Sequence, residues 1–250
     1  MKILVLGDNA GSRHGPHLAG RSLALSADGH AWVLLNTLPQ LERHLRSTAA
    51  PWPLARDAIH GVVLMDAQAQ HVSGLLGLRD GPPLRLYATP SVFEDLTTHL
   101  PILPVLDQCC GVQWHLLPVA GEVHCAPFHV EGLEALQFEA FAIPGAAPAY
   151  GAHPHDGIVG DTIALRVRDH RTGRQLCYAP GLTELGSPSG TSPHAWLGEA
   201  DCVITGAAPG VVELLRHAPA QRKVLLVDSV PAHCSAHGIE PAYDGMAIHL

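Results

Sequence analysis

The stretch Gly61-Val62-Val63-Leu64-Met65-Asp66-Ala67-Gln68-Ala69-Gln70-His71-Val72-Ser73-Gly74-Leu75-Leu76-Gly77-Leu78 decides how this chain reads. Gly61–Met65 is a short apolar run of the kind that forms a buried strand. It stops at Asp66, and Val72, Leu75, Leu76 and Leu78 then recur as the apolar side of a helix. Polar residues between a buried strand and a following helix sit at a sheet edge, where layered α/β folds place ligands. Working outward, Leu84–Ala88 predicts another strand, and Pro90 opens a helix at its first turn, where a missing N–H costs no hydrogen bond. Upstream, Lys2–Leu6 predicts a strand, Ser22–Ala27 and Ala31–Leu35 a hairpin around Asp28-Gly29, and Leu38, Leu41 and Leu45 a short amphipathic helix. Downstream, Val112–Leu117 and Leu133–Ile143 read as strands, Pro144–Val159 as a long loop, and Thr162–Arg168 with Gln175–Tyr178 as a second hairpin. Cys202–Ile204, a helix around Val211–His217, Val224–Val227 and Met246–Ile248 complete the pattern. Hairpins mixed with strand–helix units predict an α/β or α+β layered fold. With no linker or composition break, residues 1–250 read as a single domain.

The chain carries 15 Lys and Arg against 23 Asp and Glu, a formal charge of −8, and no stretch is basic enough to track phosphates. Nucleic acid is therefore not an expected partner. No apolar run reaches the roughly 20 residues that span a bilayer, and Met1–Leu6 is followed by Gly7-Asp8 before a signal-peptide core forms. The six cysteines include no C-x-x-C pair, so a reducing cytoplasm is the expected location. The unusual figure is 18 histidines, more than Lys and Arg together, which invites a metal site.

The spacing Asp66-x-Gln68-x-Gln70-His71 is similar to the His-x-His-x-Asp-His motif of metallo-β-lactamases, which supplies ligands to one or two metals. Only its last histidine is kept, as His71. Zinc and iron favour imidazole, thiolate or carboxylate, whereas a neutral amide is a poor ligand that compensates no charge. Gln68 and Gln70 thus argue against a two-metal hydrolase. Asp66 and His71 remain as half of a mononuclear iron or zinc site built from two imidazoles and a carboxylate. The plainer alternative, with no metal, is that both residues cap the turn and helix after the strand.

The resemblance then becomes specific. His71-x-x-Gly74-Leu75-Leu76-x-Leu78-Arg79, Pro83-Leu84-Arg85-Leu86-Tyr87-x-Thr89-Pro90, Gly160-Asp161-Thr162-Ile163, Tyr178-Ala179-Pro180-Gly181-Leu182 and Ala242-Tyr243-Asp244-Gly245-Met246 resemble the pyrroloquinoline quinone biosynthesis protein B (PqqB) family. The matching segments run in the family's order and nearly end to end. The resemblance implies a metallo-β-lactamase-like αββα sandwich. It also implies work in maturing the redox cofactor pyrroloquinoline quinone (PQQ) from a Glu–Tyr-derived precursor, beside other proteins of that pathway. Two roles come with it: an iron-dependent oxygenase that hydroxylates the tyrosine-derived ring, or a non-catalytic, transport-associated carrier of PQQ or its precursor. A metal-dependent hydrolase of another substrate would keep the fold and drop the pathway. In the central loop, Tyr150, His153, Asp156 and Asp161 correspond to the family's Tyr-x-x-His-x-x-Asp and Gly-Asp-Thr-Ile segments. The resemblance therefore implies Asp66 and His71 as catalytic residues, His153 as a third metal ligand beside them, and Tyr150, His153, Asp156 and Asp161 as contacts of the precursor. The competing reading leaves His153 and His155 exposed and makes Asp161 a turn cap.

The departures from the family are as informative. Its cysteine-rich zinc loop after the first strand has no counterpart in Asp8–Gly20, where His14 and His17 are the available imidazoles. Its Asp-His pair is Gln70-His71 here, a Gly-His-Leu-Pro segment is missing between Ile204 and Val211, and Val227–His233 replaces an Asn-rich stretch. His124, Cys125 and His129 lie together in sequence without a family counterpart. Most other histidines stand alone in or beside predicted elements, so their number is poor evidence for metal. There is no G-x-S-x-G elbow, Walker loop or G-x-G-x-x-G after a strand.

Overall fold

Alternation along the strands builds the layers. The fold is that of a computed structural model, described here for residues 1–7, 22–47, 52–152, 157–182, 197–207, 210–227, 235 and 237–250. In β1 (Lys2–Leu6), Ile3 and Val5 turn to one side and Leu4 and Leu6 to the other, and all four are buried. A strand apolar on both faces needs cover on both. One face meets a second sheet and the other meets helices.

The first sheet runs β14 (Ala247–His249), β1, β2 (Ser22–Ser26), β3 (Trp32–Leu35), β4 (Ile59–Val63), β5 (Leu84–Ala88), β6 (Val112–Leu116). It is antiparallel from β14 to β3 and parallel from β3 to β6. The second sheet holds β7 (Cys125–Phe128), β8 (Leu136–Ala142), β9 (Ile163–Asp169) and β10 (Gln175–Ala179), antiparallel in turn. It continues in parallel through β11 (Cys202–Thr205), β12 (Arg222–Leu225) and β13 (Ile239–Pro241). Each sheet is thus an antiparallel meander extended by parallel strands, a correspondence that no sequence repeat discloses.

Between the sheets, Val5, Leu25, Val33, Val63 and Met65 pack with Phe138, Leu165, Val167, Tyr178 and Ile204. On the outer face of the first sheet lie α1 (Leu41–Arg46), α2 (Ala69–Val72) with its 3₁₀ continuation Ser73–Leu78, α3 (Pro90–Glu94) and α4 (Ile102–Cys109). They bury Leu41, Val72, Leu75, Leu78, Val92, Leu103 and Leu106 against Leu4, Leu34, Val62 and Leu86. On the far side, α5 (Val211–His217) sets Val211, Leu214 and Leu215 on Ala164, Cys177, Val203 and Leu225. The order is helix, sheet, sheet, helix, the αββα sandwich expected. Among the described residues no helix is long and apolar enough to cross a membrane.

Three elements escaped the sequence patterns, each for a physical reason. Pro101 and Pro104 punctuate the start of α4 and mask its apolar stripe, although proline is tolerated in a first helical turn. Pro127 makes β7 read as loop, and proline is at home on an edge strand such as this one. β13 has three residues and ends at Pro241. The helix expected after Met65 tightens to a 3₁₀ turn at Gly74, where a Cβ would lie 2.1 Å from the Leu38 carbonyl oxygen. Only glycine permits that approach of two backbones.

Candidate functional site

The two sheets are stitched together just beyond β4. Leu64 N–H donates to Tyr87 O (3.0 Å), Met65 N–H to Asn36 Oδ1 (2.8 Å), and Met65 O accepts Ile163 N–H from the second sheet (2.8 Å). Asn36 reaches this position by turning the chain after β3 at φ 60°, a left-handed conformation asparagine tolerates. Thr37 then binds the His71 carbonyl twice, through its N–H (2.7 Å) and its Oγ1 (3.1 Å). Both ends of the Asp66–His71 turn are therefore held by backbone-directed bonds.

Within that turn, His71 Nδ1 lies 2.6 Å from Asp66 Oδ1, with both side chains 2% exposed. The same Oδ1 accepts Gln68 N–H (3.0 Å). Asp66 thus caps the turn, as the plainer alternative has it, and grips the imidazole as well; α2 itself starts without a side-chain cap. When Nδ1–H is directed at the carboxylate, the neutral ring presents Nε2 as an acceptor. His71 Nε2 is buried and has no hydrogen-bond partner among the described residues. Buried polar atoms are nearly always satisfied, which makes this nitrogen the chemically distinctive atom of the site.

The central loop closes over the turn. The Tyr150 hydroxyl donates to the Ala67 carbonyl, and Gln68 Nε2 donates to the Ala146 carbonyl (2.7 Å). Gln68, a poor metal ligand, has a structural task that only this tertiary contact reveals. Burial, and then the carboxylates of Asp95 and Asp66, push the Tyr150 phenol well above its ordinary value, so it remains a protonated donor. Asp161 Oδ2 accepts Ile158 N–H (2.8 Å), a turn cap ahead of β9. Asp95, just past α3, accepts Ala152 N–H (3.1 Å) and pairs with His99 (3.2 Å); burial raises its carboxyl, with Asp161 adding to the effect. Asp95 and Asp161 share a small cleft with Ser91, Glu94 and Ile158. Sequence reasoning missed Asp95, whose only local signal is a histidine four residues on.

The structure brings together Asp66 and His71 and sets Tyr150 beside them. His153 and Asp156 lie outside the described residues, as do His155, His14 and His17, residues 183–196 and residues 228–234. His124, Cys125 and His129 do not converge: the Cys125 thiol is engaged by Glu139 Oε1 (3.1 Å). Among the described residues no three His, Cys, Asp or Glu side chains are grouped to hold a metal ion.

Residues 31–226 match the family described as the beta-lactamase superfamily domain. Coenzyme PQQ synthesis protein B of Methylobacillus flagellatus is 36% identical over 92% of this chain and 87% of its own. The protein of that name from Stutzerimonas stutzeri is 32% identical over 98% and 92%. Among solved structures, zinc-bound PqqB from Methylobacterium extorquens superposes with a TM-score of 0.78 at 22% identity, covering all of both chains. Unliganded yeast PDE1 superposes with a TM-score of 0.61 at 10% identity over 100% and 99%, a likeness of fold. Paired mixed sheets under flanking helices, with more than 30% identity sustained over nine-tenths of the chain, leave one conclusion: the chain belongs to the coenzyme PQQ synthesis protein B (PqqB) family of the β-lactamase superfamily.

Proposed function

We propose that this chain acts in PQQ biosynthesis by binding a Glu–Tyr-derived precursor, or PQQ itself, against the Asp66–His71 pair. The observation that carries the reading is the buried Nε2 of His71, which has no partner among the described residues. A tyrosine-derived precursor offers phenolic O–H groups, and such a donor satisfies an acceptor nitrogen in a dry setting. Asp66 fixes the ring and its tautomer, and stabilises the imidazolium should a phenolic proton pass to Nε2. Tyr150 and Gln68 hold the central loop over the turn. His153, Asp156 and Asp161 extend the contacts to the precursor. The same reading assigns the chain to the cytoplasm, where cysteines such as Cys177 and Cys202 stay reduced, in company with other PQQ-pathway proteins.

The fold family also implies a metal, and the chemistry of the donors tests that. His71 Nε2, on a ring whose Nδ1 Asp66 grips, suits iron or zinc, and no third donor joins the pair among the described residues. The described residues by themselves therefore do not complete a metal centre. The oxygenase reading, with Asp66, His71 and His153 as ligands, depends on the metal content of the protein. Calorimetry with the reduced quinol form of PQQ, which carries phenolic O–H groups and is kept anaerobic, and elemental analysis decide between the two. The expected result is that chelator-treated protein binds the quinol and that His71→Ala weakens binding about tenfold or more. Binding that appears only with added iron or zinc, together with bound metal lost in His71→Ala, overturns it in favour of the metal-dependent role.

A further inference from the structure

The two sheets end in the edge strands β6 and β14, β7 and β13, and three of these are blunted. β7 carries Pro127, β13 has three residues and ends at Pro241, and β14 also has three. Prolines and short strands are how folds close an edge to further pairing. β6 (Val112-Gln113-Trp114-His115-Leu116) differs, with five residues, no proline and no Asp, Glu, Lys or Arg. Among the described residues its one strand neighbour is β5. Leu84 N–H donates to Gly111 O (2.9 Å) and Leu117 N–H to Ala88 O (3.0 Å), so residues 111, 113, 115 and 117 aim their peptide groups at β5. The alternate residues, Val112, Trp114 and Leu116, turn theirs to the open side. Asp107 Oδ1 takes the Val112 N–H (3.1 Å), which leaves Trp114 and Leu116 as the outward donors. The Trp114 indole is drawn away from them: Nε1–H donates back to Ala88 O (3.0 Å), and the ring stacks on Phe93 with centroids 3.9 Å apart.

We propose that β6 is a dimer contact, pairing antiparallel with β6 of a second copy about a two-fold axis at Trp114. The strand is its own complement. Trp114 of one copy exchanges N–H and carbonyl with Trp114 of the other, and each Leu116 N–H reaches the opposite Val112 carbonyl. Asp107 holds the Val112 N–H and so ends the ladder. Leu116, 52% exposed in the single chain, then lies across from Val112, an apolar cross-strand pair, and the two Phe93–Trp114 stacks meet at the axis. Charge favours a copy over a foreign strand. The formal charge of −8 opposes association of two chains, but the uncharged β6 sets no acid against acid where the backbones meet, and it offers a charged peptide no counter-ion.

The test is sedimentation of the full chain together with backbone amide exchange, for wild type, Leu116→Met and Leu116→Lys. The wild type is expected to sediment as a dimer at roughly 100 μM, with the Trp114 and Leu116 amides protected and that protection lost on dilution. The Gln113 and His115 amides, bonded to β5, stay protected throughout. Leu116→Lys, the kind of charge that guards natural edges, is expected to weaken the dimer about tenfold or more, and Leu116→Met to keep it within about threefold. A wild type that stays monomeric overturns the inference and leaves the edge to a strand of another protein or to none. A dimer whose Trp114 and Leu116 amides exchange as freely as in the dilute chain overturns it too, since the contact then lies elsewhere. So does a dimer that Leu116→Lys leaves intact. The amide readout uses the wild type alone, so it decides even if Leu116→Lys misfolds.

Discussion

The ends of β4 and β11 occupy corresponding places in the two sheets, each being the first parallel strand after an antiparallel run. β11 ends at Thr205, followed by Gly206-Ala207, and the Thr205 hydroxyl donates to the neighbouring Ala179 carbonyl (2.9 Å). That polar group is satisfied within its own sheet. After β4 come Asp66 and His71, whose mutual bond leaves His71 Nε2 without a partner among the described residues. The comparison teaches that one scaffold serves both strand ends, and that the end proposed to bind ligand is the one whose histidine keeps an acceptor unused among the described residues.

The largest effect expected from this contrast concerns how tightly each end is built. Gly74→Ala would drive a Cβ to 2.1 Å from the Leu38 carbonyl oxygen, whereas Gly206→Ala meets the Pro180 carbonyl oxygen at 2.7 Å. Both contacts are to backbone, which cannot yield as a side chain can, so the closer one decides: Gly74→Ala is expected to lose about 3 kcal/mol or more in urea unfolding, and Gly206→Ala clearly less. Equal losses would show that the β4 end is no more constrained than its counterpart.

The next pair separates stability from binding. Asp66→Ala leaves His71 Nδ1 and Gln68 N–H without their acceptor, for an expected loss of ~1–3 kcal/mol together with loss of PQQ binding. Thr205→Val removes one satisfied hydrogen bond, for ~1 kcal/mol, and leaves PQQ binding unchanged. If Thr205→Val weakened binding as much as Asp66→Ala does, the functional distinction between the two strand ends would collapse.

How much of this was legible beforehand depends on distance along the chain. Strands such as β1, β5 and β9 show in the sequence because their burial is written in consecutive residues. Asp66 and His71 showed as a candidate pair because a strand, a turn and a helix place them within six residues. Their actual relation, a carboxylate gripping Nδ1, did not show, since the spacing fits side-by-side ligation equally well. Asn36 carried no signal and Asp95 only the histidine four residues on: they reach their partners from 29 residues away at Met65 and 57 at Ala152. Proline hid α4 and β7 because it is read as a breaker, although a first helical turn and an edge strand both tolerate it.

Gln68 gives a smaller effect, on dynamics. Gln68→Ala removes the amide bond to Ala146 while leaving Tyr150 on Ala67, so unfolding free energy is expected to fall by only ~0.5–1.5 kcal/mol. Amide exchange of residues 146–152 is expected to speed up, with the Thr205 region unaffected. Unchanged protection in the central loop would show that Tyr150 alone holds it.

The smallest expected effect is a pH dependence that only the β4 side carries. Burial raises the Asp95 carboxyl in the folded protein, reinforced by Asp161 and opposed by Ala152 N–H and His99. A raised folded value means that the folded state holds the proton more tightly than the unfolded chain. The contribution to stability is therefore fully present below the ordinary carboxyl value of about 3.9 and is lost as pH rises through the folded one. Wild-type urea midpoints should accordingly lose ground to Asp95→Asn as pH rises from about 4 toward neutrality, since the amide keeps an acceptor for Ala152 N–H and never ionises. In a His99→Gln background the gain of Asp95→Asn should grow, because the ionised carboxylate has lost the partner it pairs with. A difference between wild type and Asp95→Asn that stays flat with pH in both backgrounds would mean that Asp95 titrates alike folded and unfolded, and that the carboxylates flanking the central loop are solvated.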